Sequence, residues 1–134
     1  MPSVKQVQIT FDCADPERVA RFWCEILGYV IPPGAQGQDG EQGEPWSACV
    51  DPDGVGPRLY FQTVPEGKVV KNRVHLDVRV GTGLVGAERL AKLEAESARL
   101  VALGAVQLYV QLADEENESC ITMQDIEGNE FCLD

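Results

Sequence analysis

The sequence predicts an α+β fold of two βαβββ modules, in which a curved mixed sheet surrounds a cleft and the helices lie outside. Three observations carry that prediction. Each half of the chain opens on a stretch of period-2 alternation. Each then continues into an amphipathic helical stripe. The punctuation of the first half also returns in the second: Leu27-Gly28-Tyr29-Val30 as Leu103-Gly104-Ala105-Val106, and Asp51-Pro52-Asp53-Gly54 as Asp125-Ile126-Glu127-Gly128. A chain of 134 residues, 44% hydrophobic and 25% charged, suits a single domain. Module one is expected over residues 4–64 and module two over 73–134.

Over residues 4–12, Val7, Ile9 and Phe11 alternate with Gln6, Gln8, Thr10 and Asp12, as in a half-buried strand. Asp15 and Pro16 supply an N-cap and a first-turn proline, and Val19, Phe22, Trp23, Ile26 and Leu27 form the helical stripe that Gly28 ends. Phe22 and Trp23 are core by that spacing. A second strand is expected at Tyr29–Ile31, then a mobile Gly/Gln/Pro-rich loop over 32–45. Strands Trp46–Val50 and Arg58–Val64 follow, joined by the 51–54 turn. After a polar connection at 65–72, Val74, Leu76 and Val78 alternate with Arg73, His75, Asp77 and Arg79. A helix from about Gly86 to Leu103 has Leu90, Leu93, Ser97, Leu100 and Val101 as its inner stripe.

Eleven Lys and Arg against twenty-two Asp and Glu give a net charge of −11. Such a field repels phosphate backbones and anionic membrane surfaces, so nucleic acid and membrane are excluded as expected partners. Five cysteines, an odd number without a C-x-x-C pair, fit neither a disulfide framework nor a zinc ribbon and read as reduced thiols. No apolar leader follows Met1-Pro2-Ser3-Val4-Lys5, and a cytoplasmic protein is expected.

With one helix and four strands per module, one face of each sheet is left for other use. The polar strand positions are Gln8, Thr10, Asp12, Tyr60, Gln62, His75, Asp77, Arg79, Glu130, Cys132 and Asp134. A solvated face accounts for such positions in most antiparallel sheets. If the sheet curls, they converge on a small-molecule cleft.

The ordered set Asp12-Cys13-Ala14-Asp15-Pro16, Phe22-Trp23, Leu27-Gly28-Tyr29, Lys71 to Asp77, Leu103-Gly104-Ala105 and Asp125 to Cys132 resembles the vicinal oxygen chelate superfamily. That superfamily includes glyoxalase I, bleomycin-resistance proteins and extradiol dioxygenases, and the small glyoxalase-like members are the nearest in pattern. Its enzymes hold a divalent metal with four side chains, typically His or Gln, Glu, His and Glu. The resemblance puts those positions at Gln8, Gln62, His75 and Cys132. Two neutral amides and one thiol beside a single imidazole are a poor set for Zn, Ni, Mn or Fe, so no metal ligand and no cofactor is expected.

The expected ligand-binding residues are Gln8, Thr10, Trp46, Tyr60, Gln62, His75, Asp77 and Cys132, with His75 and Tyr60 as catalytic candidates. His75, the only histidine, reads equally as a satisfied structural side chain and as an acid/base group oriented by an aspartate. Cys132 reads as a small apolar filler ahead of a nucleophile. Trp46 reads as a pocket wall or as core. Three functions compete: a metal-independent binder of a small organic molecule, a lyase, isomerase or dioxygenase acting next to a carbonyl, and a structural or partner-binding module. A homodimer is implied by the resemblance.

Overall fold

The structure, a computed structural model, describes residues 2–40 and 43–134. The chain divides into two compact units, 1–67 and 68–134. Unit one runs β1 (Ile9–Cys13), α1 (Pro16–Leu27), β2 (Gln36–Gly37), β3 (Trp46–Cys49), β4 (Leu59–Thr63). Unit two runs β5 (Leu76–Val78), α2 (Gly86–Ala102), β6 (Val106–Gln111), β7 (Cys120–Gln124), β8 (Glu130–Leu133). Each is a βαβββ module with one four-stranded mixed sheet, ordered β1-β4-β3-β2 in the first and β5-β8-β7-β6 in the second. In both, the opening strand pairs in parallel with the closing strand: Thr10 lies beside Tyr60, and Asp77 beside Cys132.

Helix α1 starts where the sequence places its signals. Asp15 Oδ1 accepts from Arg18 N at 3.2 Å, Pro16 needs no amide partner in the first turn, and Gly28 ends the helix at φ 71° with its N–H on Cys24 O at 2.8 Å. Val19, Ala20, Phe22, Trp23 and Ile26 are buried along one side. Phe11 of β1 meets the Trp23 ring at 4.9 Å and stacks on Phe61 of β4 at 5.1 Å, which closes the core between helix and sheet. Odd-numbered side chains of β1 and β4 therefore face α1, and the even-numbered ones face away. In unit two the core is Leu93 and Leu100 of α2 with Ile121, Met123, Phe131 and Leu133 of the sheet. Ser97, 1% exposed, is satisfied there by Gln107 Oε1 at 2.7 Å and Met123 Sδ at 3.2 Å.

Several expectations are corrected. Strand β1 begins at Ile9 rather than residue 4, because its parallel partner begins at Leu59 and Gly54–Pro57 before it belongs to a turn region; Val7 is 69% exposed. The strand expected at 29–31 is one bridge, Val30 to Val50, since Pro32 and Pro33 bring no amide hydrogens to extend a ladder. Its place is taken by β2, inside the stretch read as a mobile loop; Glu41 and Gln42 of that stretch lie outside the described residues. The second opening strand shrinks from 73–80 to Leu76–Val78, limited by β8, and Val74 is exposed. Val101 leaves the inner stripe of α2 because the buried line Leu93, Ser97, Leu100 turns its neighbour toward solvent, and Leu90 is half-buried.

Candidate functional site

The even-numbered face of unit one carries an aromatic and cationic group. Tyr60 on β4 stacks with Trp46 on β3, ring centroids 5.7 Å apart and tilted 23°, and the Arg58 guanidinium lies 5.5 Å from the Tyr60 ring. Arg58 also donates to Gln8 Oε1 at 2.6 Å. One row along the sheet, Gln62 Nε2 donates to Asp12 Oδ1 at 2.7 Å, as the Asp12–Gln62 register requires. The Trp46 indole N–H is held by Asp39 Oδ1. Thr10, beside Tyr60, is exposed.

Two spaces open on these residues. A hollow of about 700 Å³ is lined by Lys5, Gln8, Asp51, Val55, Pro57 and Arg58, among others, and a smaller one of about 90 Å³ by Glu44, Trp46, Tyr60 and Gln62. The first has the size of an organic-ligand pocket; the second holds little beyond a few waters.

Unit two presents different chemistry. His75, two residues before Asp77, points its Nδ1 at Asp77 Oδ1 at 3.0 Å and lies 3.9 Å from Cys132 Sγ. Thr122, which faces Cys132 across the β7–β8 ladder, puts its hydroxyl 3.6 Å from the same sulfur. Burial pushes the Cys132 thiol above its ordinary range; the Thr122 contact works against this, while Asp77 and Cys120 add to it. A thiol so placed is protonated at neutral pH, which removes the usual basis for nucleophilic attack. Beside it, Lys71, His75, Tyr109, Thr122, Glu130 and Cys132 surround a space of about 50 Å³. Glu130, only 7% exposed, accepts from Asn72 N at 2.6 Å, with Lys71 Nζ at 3.5 Å and Lys68 Nζ at 3.8 Å. The Asn72 amide, then the two lysines, hold its carboxyl below the usual range.

The expected ligand residues thus fall into two groups. Gln8, Thr10, Trp46, Tyr60 and Gln62 share the even-numbered side of unit one, with Gln8 just ahead of β1, whereas His75, Asp77 and Cys132 cluster in unit two. Arg58 and Thr122 were missed. Arg58 has the same parity as Tyr60, so the alternation could have found it; Thr122 needed the β7–β8 register.

The four positions that a metal would need by resemblance can be tested against these contacts. The Gln8 oxygen is occupied by a guanidinium, and the Gln62 amide group is tied to Asp12. A fixed cation on one donor oxygen and two neutral amides in the set do not suit a dication. These four side chains do not fit the metal.

Residues 8–133 match the model of the glyoxalase-like domain family. No curated protein sequence is a significant match. Among solved structures, the chain is similar to a mutant of the genomically encoded fosfomycin resistance protein FosX from Listeria monocytogenes, complexed with Mn(II) and 1S,2S-dihydroxypropylphosphonic acid. There the TM-score is 0.70 at 14% identity over 99% of this chain and 90% of that one. It is similar to a glyoxalase/bleomycin resistance protein/dioxygenase family enzyme from Burkholderia phytofirmans PsJN, at TM-score 0.68, 11% identity and 94% of both chains. FosX from Mesorhizobium loti gives 0.65 at 15% identity, over 96% of this chain and 89% of that one. At such identities the likeness is one of fold.

Proposed function

The chain belongs to the glyoxalase-like domain family, and from that premise we propose that it binds a small organic molecule as a single domain, without a metal at the family's four ligand positions. The observation that carries the reading is the 2.6 Å pairing of Gln8 and Arg58 on the wall of the 700 Å³ hollow, with the same guanidinium 5.5 Å from the Tyr60 ring, which with Trp46 borders the neighbouring space of about 90 Å³. Apolar and aromatic surface with a few fixed polar groups is what organic ligands require. Arg58 and Lys5 favour an anionic group on the ligand, and a phosphonate is what the FosX neighbour was solved with. Gln8, Thr10, Trp46, Tyr60 and Gln62 are the binding residues of this reading in unit one; His75, Asp77 and Cys132 form a separate polar cluster in unit two.

The test is a thermal-shift screen of small carboxylates and phosphonates. A one-site ligand at a hundredfold excess over its Kd stabilises by about 2.7 kcal/mol, several degrees in Tm for a chain of this size. Arg58→Ala should abolish the shift. A library without any hit, or a hit whose shift persists in Arg58→Ala, contradicts the reading.

A second reading, an enzyme acting next to a carbonyl with His75 as acid/base, is supported by the 3.0 Å His75–Asp77 pair, which fixes one tautomer. His75→Ala should then end turnover with Tm unchanged. The proposed partner, besides the ligand, is a second copy of the chain; sedimentation as a 14.6 kDa species only would rule that out.

A further inference from the structure

All five cysteines are free thiols, and on the helix side of unit one two of them hydrogen-bond to each other: Cys24 of α1 and Cys49 of β3. The fold sets that meeting. Cys49 is the register partner of Leu59, whose odd-numbered face of β4 is the one that α1 covers, and register partners share a face. Cys24 lies in the last turn of α1, where its carbonyl accepts from Gly28 N at 2.8 Å. Two residues beyond Gly28, Val30 and Val50 exchange hydrogen bonds of 3.0 and 2.9 Å, which ties the end of the helix to the residue after Cys49. The two thiols differ in access: Cys49 is fully buried and Cys24 half-buried. They differ in acidity too, since burial raises both but their contact lowers Cys24 and raises Cys49, so Cys24 ionises first. The other three thiols have different neighbours: Cys13 Sγ donates to Gln62 O at 3.5 Å, Cys120 Sγ to Gln111 Oε1 at 3.7 Å, and Cys132 lies against Thr122 and His75.

We propose that Cys24 and Cys49 form a redox modification site, a thiol pair that a peroxide-class oxidant closes into a reversible disulfide between α1 and β3. The Cys24 thiolate attacks one peroxide oxygen: an S–O bond forms, the O–O bond breaks, and the departing hydroxide takes a proton and leaves as water. Cys24 is then a sulfenic acid. The Cys49 sulfur attacks it, the S–S bond forms as the S–O bond breaks, and the hydroxyl leaves as a second water with the Cys49 proton. Two thiols and one peroxide thus give one disulfide and two waters, with two electrons passed to the oxidant. The half-buried thiol meets the oxidant and the buried one resolves it, so Cys24 is drawn into the disulfide rather than left for a second peroxide. Closure pins α1 to the strand that carries Trp46 three residues before Cys49. The inference does not depend on the organic-ligand reading, since both thiols lie on the opposite face of the sheet from Tyr60.

The test treats the reduced full chain with a molar excess of hydrogen peroxide, alkylates it under denaturing conditions and digests it with trypsin. No Lys or Arg lies between Arg21 and Arg58, so Cys24 and Cys49 leave on one peptide, residues 22–58, which holds no other cysteine. The expected result is that this peptide becomes two hydrogens lighter and takes up no alkylating agent, while Cys13, Cys120 and Cys132 are alkylated as in the untreated chain. Dithiothreitol before alkylation should restore both thiols. In Cys24→Ser, Cys49 should stay reduced; in Cys49→Ala, Cys24 should stop at the sulfenic acid and be trapped by dimedone. Melting curves establish that each variant folds, and the parent's peptide map decides by itself where one does not. The proposal is overturned if residues 22–58 keep both thiols, if Cys24 passes to the sulfinic acid without pairing, or if another cysteine is consumed before the pair. It is equally overturned if Cys49 oxidises in folded Cys24→Ser as fast as in the parent.

Discussion

Asp125 does in unit two what Asp51 does in unit one. Its Oδ1 accepts from the N–H groups of Glu127 and Asn129, both at 2.9 Å, its Oδ2 accepts from Asn129 Nδ2 at 2.9 Å, and the residue is 2% exposed. Asp51 accepts from Asp53, Val55 and Gly56. Asp125→Ala would leave part-buried donors unmet and should cost about 2 kcal/mol, read as a lower urea midpoint with an unchanged slope. The repeated Asp-x-x-Gly turn was legible in the sequence because the aspartate acts on amides only two to five residues away. The partners of Gln8 and Gln62 were not: Arg58 and Asp12 are each fifty positions distant, and only the β1–β4 register brings them together. For the same reason Asp77 could be read as a neighbour of His75 but not as the pair of Cys132.

At the scale of elements, α1 was readable from end to end because capping is local, and it makes a clean prediction. Gly28 sits at φ 71° with open space around its Cα, so Gly28→Ala adds no clash and only the left-handed strain. The loss should be about 1 kcal/mol, measured as a Tm several degrees lower. Strand limits were less legible, since they depend on partners rather than on alternation. Residues 4–8 alternate as well as 9–12, but β4 starts only at Leu59. Strand β2 carries almost no β-forming residue and exists because Gln36 and Gly37 lie opposite Ser47 and Trp46. No helix among the described residues is long and apolar enough to cross a membrane.

For the whole molecule, titration sets a pH window. Glu130, Asp51 and Asp114 have carboxyls held below their ordinary range, chiefly by backbone N–H groups, so each contributes stability above its unfolded value that is lost as pH falls through its folded one. Cys24, Cys49, Cys120, Cys132 and the Tyr29 hydroxyl are held above theirs, chiefly by burial. Their neutral forms stabilise the fold below the unfolded thiol and phenol values, and that stability is lost as pH rises. Tm should therefore be flat from about pH 5 to 8 and fall on both sides; in Glu130→Gln the acid limb should be shallower, and an unchanged limb would exclude Glu130 as its source. The duplicated architecture was legible because its punctuation repeats, and Gln8, Trp46 and Tyr60 were legible as candidates, whereas the Gln8–Arg58 contact was not, because it depends on the β1–β4 register.

The central claim is that the Gln8, Arg58, Tyr60 and Trp46 surface receives an organic ligand. It is tested most directly by amide NMR of the full chain, titrated with the small carboxylates and phosphonates that raise Tm. The account predicts saturable shifts at Gln8, Arg58 and Tyr60 and at the Trp46 indole N–H. Shifts confined to the solvent side of the helices, around Glu17 and Arg21 or Glu96 and Arg99, would contradict it.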